Sequence, residues 1–175
     1  MKKGLIISGN LAQDHEFIYP YYRLLEAEYE VDVCLLEGVP VKGILGTALP
    51  PNKQQKIKTI EDIYVKDYKV LVLPGGVKAM EKVRQEKKII NFISEFNKTK
   101  KIIACVCSGA QLLISAKIVK GRKIAGYYSM KDDLINAGAT YTDLPAVIDE
   151  NIITTAHYKD MGPWMKAVMK KLSEN

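Results

Sequence analysis

The chain has 175 residues, of which 47% are hydrophobic and 26% charged, and this composition predicts a single globular domain spanning residues 1–175. No apolar run is long enough to span a membrane, and the N-terminus lacks the long apolar region of a signal peptide. The net charge of +6 comes from scattered lysines with few arginines, which favours solvated helix surfaces over a nucleic-acid partner.

The three cysteines also restrict the class of protein. Cys34, Cys105 and Cys107 form neither a metal-ligand spacing nor an even set for disulfides. We therefore expect a protein of the reducing cytoplasm with no metal or cofactor site. Cys34 lies inside an apolar run and is interpreted as a core residue.

The first third of the chain predicts alternating strands and helices. Residues 4–8 and 31–36 are short apolar runs typical of buried strands. Between them, apolar residues recur at helical spacing after Asp14, which we expect to cap the helix. Pro20 should lie near the first turn, because proline breaks a helix interior. Glu16 then lies at the helix start, beside the carboxyl end of the first strand.

The middle of the chain begins irregularly. Glycines and prolines punctuate residues 37–67, where residues 41–45 and 56–60 are predicted to pair as a small hairpin. The run 69–73 predicts a third buried strand, which ends in Pro74-Gly75-Gly76. A helix is predicted over residues 89–96.

The last third of the chain predicts shorter elements. A helix over 132–137, closed by Gly138, precedes strand candidates at 139–142, 146–148 and 151–155. His157 follows the last strand, and an amphipathic helix over 163–172 closes the chain.

One further segment carries the strongest chemical signal. The buried strand predicted at Ile102–Val106 runs into a small-residue turn, Cys107-Ser108-Gly109, and a helix is predicted from about Ala110. A nucleophile elbow has this form, since the turn lifts one reactive side chain above the sheet edge. The helix N-terminus and nearby N–H groups favour a thiolate, so we expect a lowered pKa at Cys107.

This order of elements predicts a doubly wound α/β fold with a mostly parallel sheet and helices on both faces. Ligands of such folds bind at the carboxyl ends of the strands. Glu16, Gly75-Gly76 and Cys107 all fall on that edge. They predict a carboxyl partner, a backbone oxyanion site and a nucleophile.

Several motifs in sequence order resemble one known family. They are EFIYP at 16–20, VLPGG at 72–76, ACVCSGAQLL at 104–113, IVKGRK at 118–123, KDD at 131–133 and TTAH at 154–157. The chain resembles the DJ-1/PfpI family over essentially its whole length, and its PfpI-like branch in particular. The resemblance implies a flavodoxin-like fold related to class I glutamine amidotransferases.

The resemblance also implies roles for individual residues. Cys107 matches the reactive elbow cysteine, and Glu16 matches the glutamate whose protonated carboxyl hydrogen-bonds that cysteine. Gly76, next to Gly75, and the backbone N–H of Ser108 match the oxyanion site.

Other positions match the family less well. PfpI-like proteases have histidine after the cysteine, where this chain has Ser108, a residue that cannot act as a base near neutral pH. Glyoxalase-type members use a histidine where this chain has Tyr127 or Tyr128, and we expect these tyrosines to contact the substrate. His157 matches a histidine of PfpI-like members, at the pocket or at a dimer contact, and is a further candidate for a catalytic role.

Two classes of function stay open. One is a cysteine-dependent hydrolase or hydratase that acts on a small electrophilic molecule, either a reactive carbonyl, an isonitrile or an amide, with Glu16 as acid and base. The other is a stress-protective redox sensor whose Cys107 oxidises to a sulfinic acid. A PfpI-type peptidase is a further alternative that Ser108 weakens. The resemblance also implies a homodimer or a larger homo-oligomer.

Overall fold

The structure is a computed structural model that describes residues 2–174. In this part of the chain the strands are β1 (Lys3–Ser8), β2 (Glu30–Leu35), β3 (Val41–Lys42), β4 (Ala48–Leu49), β5 (Ile57–Lys58), β6 (Val70–Leu73), β7 (Ile102–Val106), β8 (Lys123–Ile124), β9 (Thr140–Tyr141), β10 (Val147–Asp149) and β11 (Ile152–Thr155). The α-helices are α1 (Asp14–Glu26), α2 (Val77–Val83), α3 (Lys87–Lys98), α4 (Ala110–Ser115), α5 (Lys131–Asn136) and α6 (Met161–Ser173).

The central sheet has the order β10-β11-β7-β6-β1-β2-β5. All neighbouring pairs are parallel except β10 and β11 at one edge. The chain moves outward from β1 to β2 on one side and to β6 on the other. This reversal of direction opens a crevice beyond the carboxyl ends of β1 and β6, where doubly wound folds bind ligands.

Helices cover both faces of the sheet. Helices α1 and α6 pack against each other, α6 contacts β7 and β11, and α4 contacts both α2 and α3. Strands β1, β6 and β7 are buried along almost their whole length, because their apolar side chains meet a helical layer on either side. Trp164 of α6 is fully buried and donates its indole N–H to the Ile153 carbonyl at 3.0 Å. The mostly parallel, flavodoxin-like α/β fold is thus confirmed.

The hairpin predicted between residues 41–45 and 56–60 is wrong. Strand β3 instead pairs with β4, antiparallel, in a separate two-stranded sheet. Strand β5 joins the edge of the central sheet, parallel to β2. Each of these strands is two residues long, which is too short to show a periodic pattern.

The start of α1 also differs from the prediction. Gln13, and not Asp14, is the N-cap, and its side chain accepts the His15 N–H at 2.7 Å. Pro20 is the seventh residue of the helix and lies beyond its first turn. The proline has no N–H to donate to the carbonyl of Glu16, four residues earlier. Helix α2, which has seven residues and begins directly after Gly76, was not predicted from the sequence.

No helix within residues 2–174 is long and apolar enough to cross a membrane.

Candidate active site

The elbow at the end of β7 has the backbone conformation that its sequence predicts. Cys107 has φ +57°, a left-handed conformation that is uncommon for a residue with a side chain and marks a strained turn. The Ser108 N–H hydrogen-bonds the Cys107 thiol, and the Ser108 hydroxyl lies 3.6 Å from Sγ. The Cys107 carbonyl accepts the Tyr127 N–H at 3.2 Å, which ties the loop before α5 to the elbow.

The glycine pair after β6 fits closely against the elbow. A side chain at Gly75 would place its Cβ 2.8 Å from Cys107 Cβ and 2.9 Å from the Ser108 nitrogen. Gly76 has φ +100°, and a Cβ there would meet the backbone of Gln13 at 2.6 Å. Only glycine fits both positions, and this brings the backbone of β6 and α2 next to the thiol.

Glu16 is completely buried between these segments. Its Oε2 accepts the Gly75 N–H at 2.7 Å, while its Oε1 has no hydrogen-bond partner among the described residues. Burial raises the pKa of this carboxyl to about 7, against the lowering effect of the hydrogen bonds from Gly75 and Cys107. A protein keeps a buried acid with a free oxygen at a cost in stability, and such groups cluster at functional sites.

The thiol and the carboxyl form one coupled pair. Burial, followed by the negative charge of Glu16, raises the pKa of Cys107 to about 12. The prediction of a lowered thiol pKa is therefore wrong for a thiol beside an ionised Glu16, because burial and like charge outweigh the short elbow helix. The pair loses its first proton near pH 7 and its second near pH 12. Between these values it carries one negative charge, which Cys107 holds whenever Glu16 holds the proton.

A cavity of about 370 Å³ opens onto this pair. The side chains and backbone that line it come from six segments: Gln13, Glu16, Ile44, Gly76, Val77, Cys107, Ser108, Gln111, Tyr127, Ser129, Met130, His157 and Tyr158. The volume suits a small molecule, and the lining combines apolar side chains with a few convergent polar groups.

His157 and Tyr127 lie on the wall of this cavity. The ring centroids of His157 and Tyr158 are 4.1 Å apart, and Tyr127 stacks on His157 at 6.2 Å. His157 Nδ1 accepts the Lys159 N–H at 3.1 Å, so in the neutral ring Nε2 carries the hydrogen. In this tautomer His157 donates a hydrogen bond through Nε2 and has no free lone pair to act as a base.

Not all the residues selected from the sequence reach the cavity. Tyr128 stacks on His157 at 6.1 Å but does not line the cavity. The Gly75 N–H is used by Glu16, so Gly75 positions the carboxyl and has no N–H for a substrate. In contrast, the hydrogen bonds of residues 2–174 leave the Gly76 N–H without an acceptor.

Several residues that line the cavity were not predicted from the sequence. Ile44 comes from the irregular loop after β3, which no pattern connects to the elbow. Gln111 had a signal in the sequence, because it lies in the first turn of the helix that directly follows the elbow. No group of three His, Cys, Asp or Glu side chains within residues 2–174 could hold a metal ion.

Asp14 fixes the loop that carries Ile44. Its carboxylate accepts the N–H groups of Leu45 at 2.8 Å and Thr47 at 3.0 Å. Burial opposes ionisation, but these hydrogen bonds outweigh it and lower the pKa of Asp14 below its ordinary value. The carboxylate therefore stabilises the loop in its ionised form.

We expect Asp14→Ala to lower the free energy of unfolding by about 2 kcal/mol near neutral pH, because the Leu45 and Thr47 N–H groups lose a partly buried, charged acceptor. Hydrogen exchange at Leu45 and Thr47 should accelerate by more than at other loop amides. The difference from wild type should shrink as pH falls through the lowered pKa of Asp14, since protonation removes the same interaction. Asp67→Ala, at an exposed acid, is the matched control, and an equal loss in that variant would contradict the assignment.

Together, these features define a doubly wound α/β protein with a cysteine on a nucleophile elbow, next to a buried glutamate. The sequence model of the DJ-1/PfpI family matches residues 2–171. The chain therefore belongs to the DJ-1/PfpI family.

Relatives of known sequence and structure agree with this assignment. The chain is 35% identical to "Deglycase PfpI" of Pyrococcus furiosus over 170 residues, covering 97% of this chain and 99% of the relative. It is 32% identical to "General stress protein 18" of Bacillus subtilis over 160 residues, covering 91% and 90%. Among solved structures, a two-domain protein of Anabaena variabilis with DJ-1/ThiJ/PfpI-like and ferritin-like domains matches with a TM-score of 0.91 and 30% identity. The match covers 99% of this chain and 48% of that protein.

Proposed function

We propose that the protein is an enzyme that converts small reactive carbonyl compounds, 2-oxoaldehydes above all, through Cys107. The observation that carries this proposal is the coupled pair of Cys107 and Glu16 at the base of a cavity of about 370 Å³. Above about pH 7 the pair holds one proton and one negative charge, which lies mainly on Glu16. When Glu16 takes the proton of Cys107, the pair supplies a thiolate nucleophile and a carboxylic acid together.

The proposed first step uses both members of the pair. The Cys107 thiolate attacks the aldehyde carbon, the C=O electron pair moves to oxygen, and Glu16 gives that oxygen its proton. The product is a hemithioacetal beside an ionised Glu16. Gly76 and Ser108 line the same cavity as Cys107, and their N–H groups would stabilise the negative oxygen as it forms.

The later steps need only Glu16 and water. The Glu16 carboxylate takes the proton from the former aldehyde carbon, and the resulting enediol is reprotonated at the neighbouring carbon to give a thioester of a 2-hydroxy acid. Water then breaks the C–S bond, which releases the acid and restores the Cys107 thiol. The net reaction adds one water molecule to a 2-oxoaldehyde and needs no oxidant or reductant.

The site gives less support to a peptidase. Ser108 occupies the position after the nucleophile, and Nδ1 of His157 is bonded to the Lys159 N–H. Neither residue can take the proton that amide cleavage requires of a base, and Glu16 alone has this capacity near neutral pH. We also propose that the protein forms a homodimer or a larger homo-oligomer, as membership of the family implies.

The test is turnover with a panel of substrates at pH 8. We expect methylglyoxal and glyoxal to be consumed with formation of the 2-hydroxy acid, and isonitriles, amides and a casein peptide to be untouched. Amide or peptide turnover without carbonyl turnover would contradict the proposal. No turnover of any compound, together with a gain of two oxygen atoms at Cys107 after peroxide, would instead favour the redox-sensing alternative.

A further inference from the structure

Gln111 lies in the cavity wall and has no assigned role. It follows Cys107 by four residues, and its side chain is 7% exposed. Its Oε1 accepts a hydrogen bond from Arg84 Nη1 at 3.4 Å. A nearly buried amide that is held in place at the reactive thiol is a candidate substrate contact.

Arg84 determines which way the amide points. It lies at the C-terminal end of α2, and its Nε donates to Ser115 Oγ of α4 at 3.0 Å. A guanidinium group has only donors, so the oxygen of Gln111 must be the atom that faces it.

The amide nitrogen of Gln111 is therefore left for the cavity. No residue within 2–174 accepts a hydrogen bond from this NH₂ group. The nitrogen is also not one of the fully buried side-chain atoms that lack a hydrogen-bond partner. Two N–H donors of Gln111 thus remain available in the cavity that Cys107 also lines.

We propose that the Gln111 amide binds a second oxygen of the substrate, the one on the carbon next to the reacting carbonyl. This inference rests on the proposed function and adds the basis of substrate selection to it. A 2-oxoaldehyde supplies that oxygen, whereas a simple aldehyde leaves the amide without an acceptor. Sites built to bond a substrate oxygen discriminate against analogues that lack it.

Two variants at one position test the proposal. Gln111→Glu keeps an oxygen for Arg84 but replaces both N–H donors with an acceptor, and Gln111→Met keeps the length of the side chain without polar atoms. We expect both to lower kcat/KM for methylglyoxal about tenfold. Propanal can form the hemithioacetal with Cys107 but cannot react further, so its binding is measured as the concentration that protects Cys107 against iodoacetamide, and both variants should change this concentration less than twofold. Equal losses for methylglyoxal and propanal, or no loss for either, would overturn the proposal.

Controls separate this inference from the proposed function. Gln85→Glu, at an exposed glutamine, should behave as wild type, and iodoacetamide should alkylate Cys107 in every variant that keeps the wild-type unfolding temperature. If wild type turns over no carbonyl compound, the proposed function fails. The Gln111 contact is then tested by measuring how much methylglyoxal is needed to protect Cys107 against alkylation by iodoacetamide. Both Gln111 variants should need about tenfold more methylglyoxal than wild type. Equal protection in wild type and variants would refute the contact by itself.

Discussion

Glu16→Gln is expected to lower kcat/KM for a 2-oxoaldehyde about 10²–10⁴-fold at pH 8, because the glutamine can neither give nor take the proton that the carboxyl moves. The wild-type kcat/KM should rise with pH through about 7 and then level off, as the pair loses its first proton. The variant should lack this rise. Glu26→Gln, at an exposed acid of the same helix, is the matched control.

The same substitution should make the fold more stable. The pKa of Glu16 is about 7 in the folded protein against an ordinary 4.5, so the folded state binds the proton more tightly between these values. The contribution of Glu16 to wild-type stability is therefore fully present below pH 4.5 and is lost as pH rises to about 7. We expect Glu16→Gln to gain up to about 3 kcal/mol at pH 8, and the gain to disappear below pH 4.5. Urea unfolding at pH 4 and pH 8 measures this, and a loss of stability at pH 8 would contradict the burial cost.

Cys107→Ser is expected to reduce turnover at least 10³-fold, since the pKa of a serine hydroxyl is so far above that of Glu16 that this carboxylate leaves almost none of the hydroxyl ionised. The fold should survive, because the elbow keeps its glycines and its Ser108 N–H. Cys34→Ala is the control at a buried cysteine outside the site, which should lose about 1–2 kcal/mol of stability and keep its activity. Retained turnover in Cys107→Ser would remove the thiol from the mechanism.

The sequence predicts the part of the fold that long apolar runs encode. Strands β1, β2, β6 and β7 are found where short, mainly apolar runs predict them, because both of their faces are covered by helices. The strands within residues 37–67 could not be predicted in this way. Each of the three is two residues long and is specified by tertiary contacts and not by a pattern of its own residues.

The sequence likewise predicts some features of the candidate site and not others. Cys107, Glu16 and Gly76 follow strands that neighbour one another, so the order of elements is enough to bring them to one edge. The thiol pKa depends on how deeply the pair is buried, which no spacing of residues reveals. The tautomer of His157 depends on one backbone N–H, from Lys159, and is equally invisible in the sequence.

The alkylation rate of Cys107 against pH, in wild type and in Glu16→Gln, tests the coupled pair most directly. The structure predicts a wild-type rate that rises through about pH 7, levels off, and rises again only toward pH 12. Glu16→Gln should show no rise near pH 7. A single rise near the free-thiol value of about 8.5, the same in both proteins, would mean that Glu16 does not control the thiol.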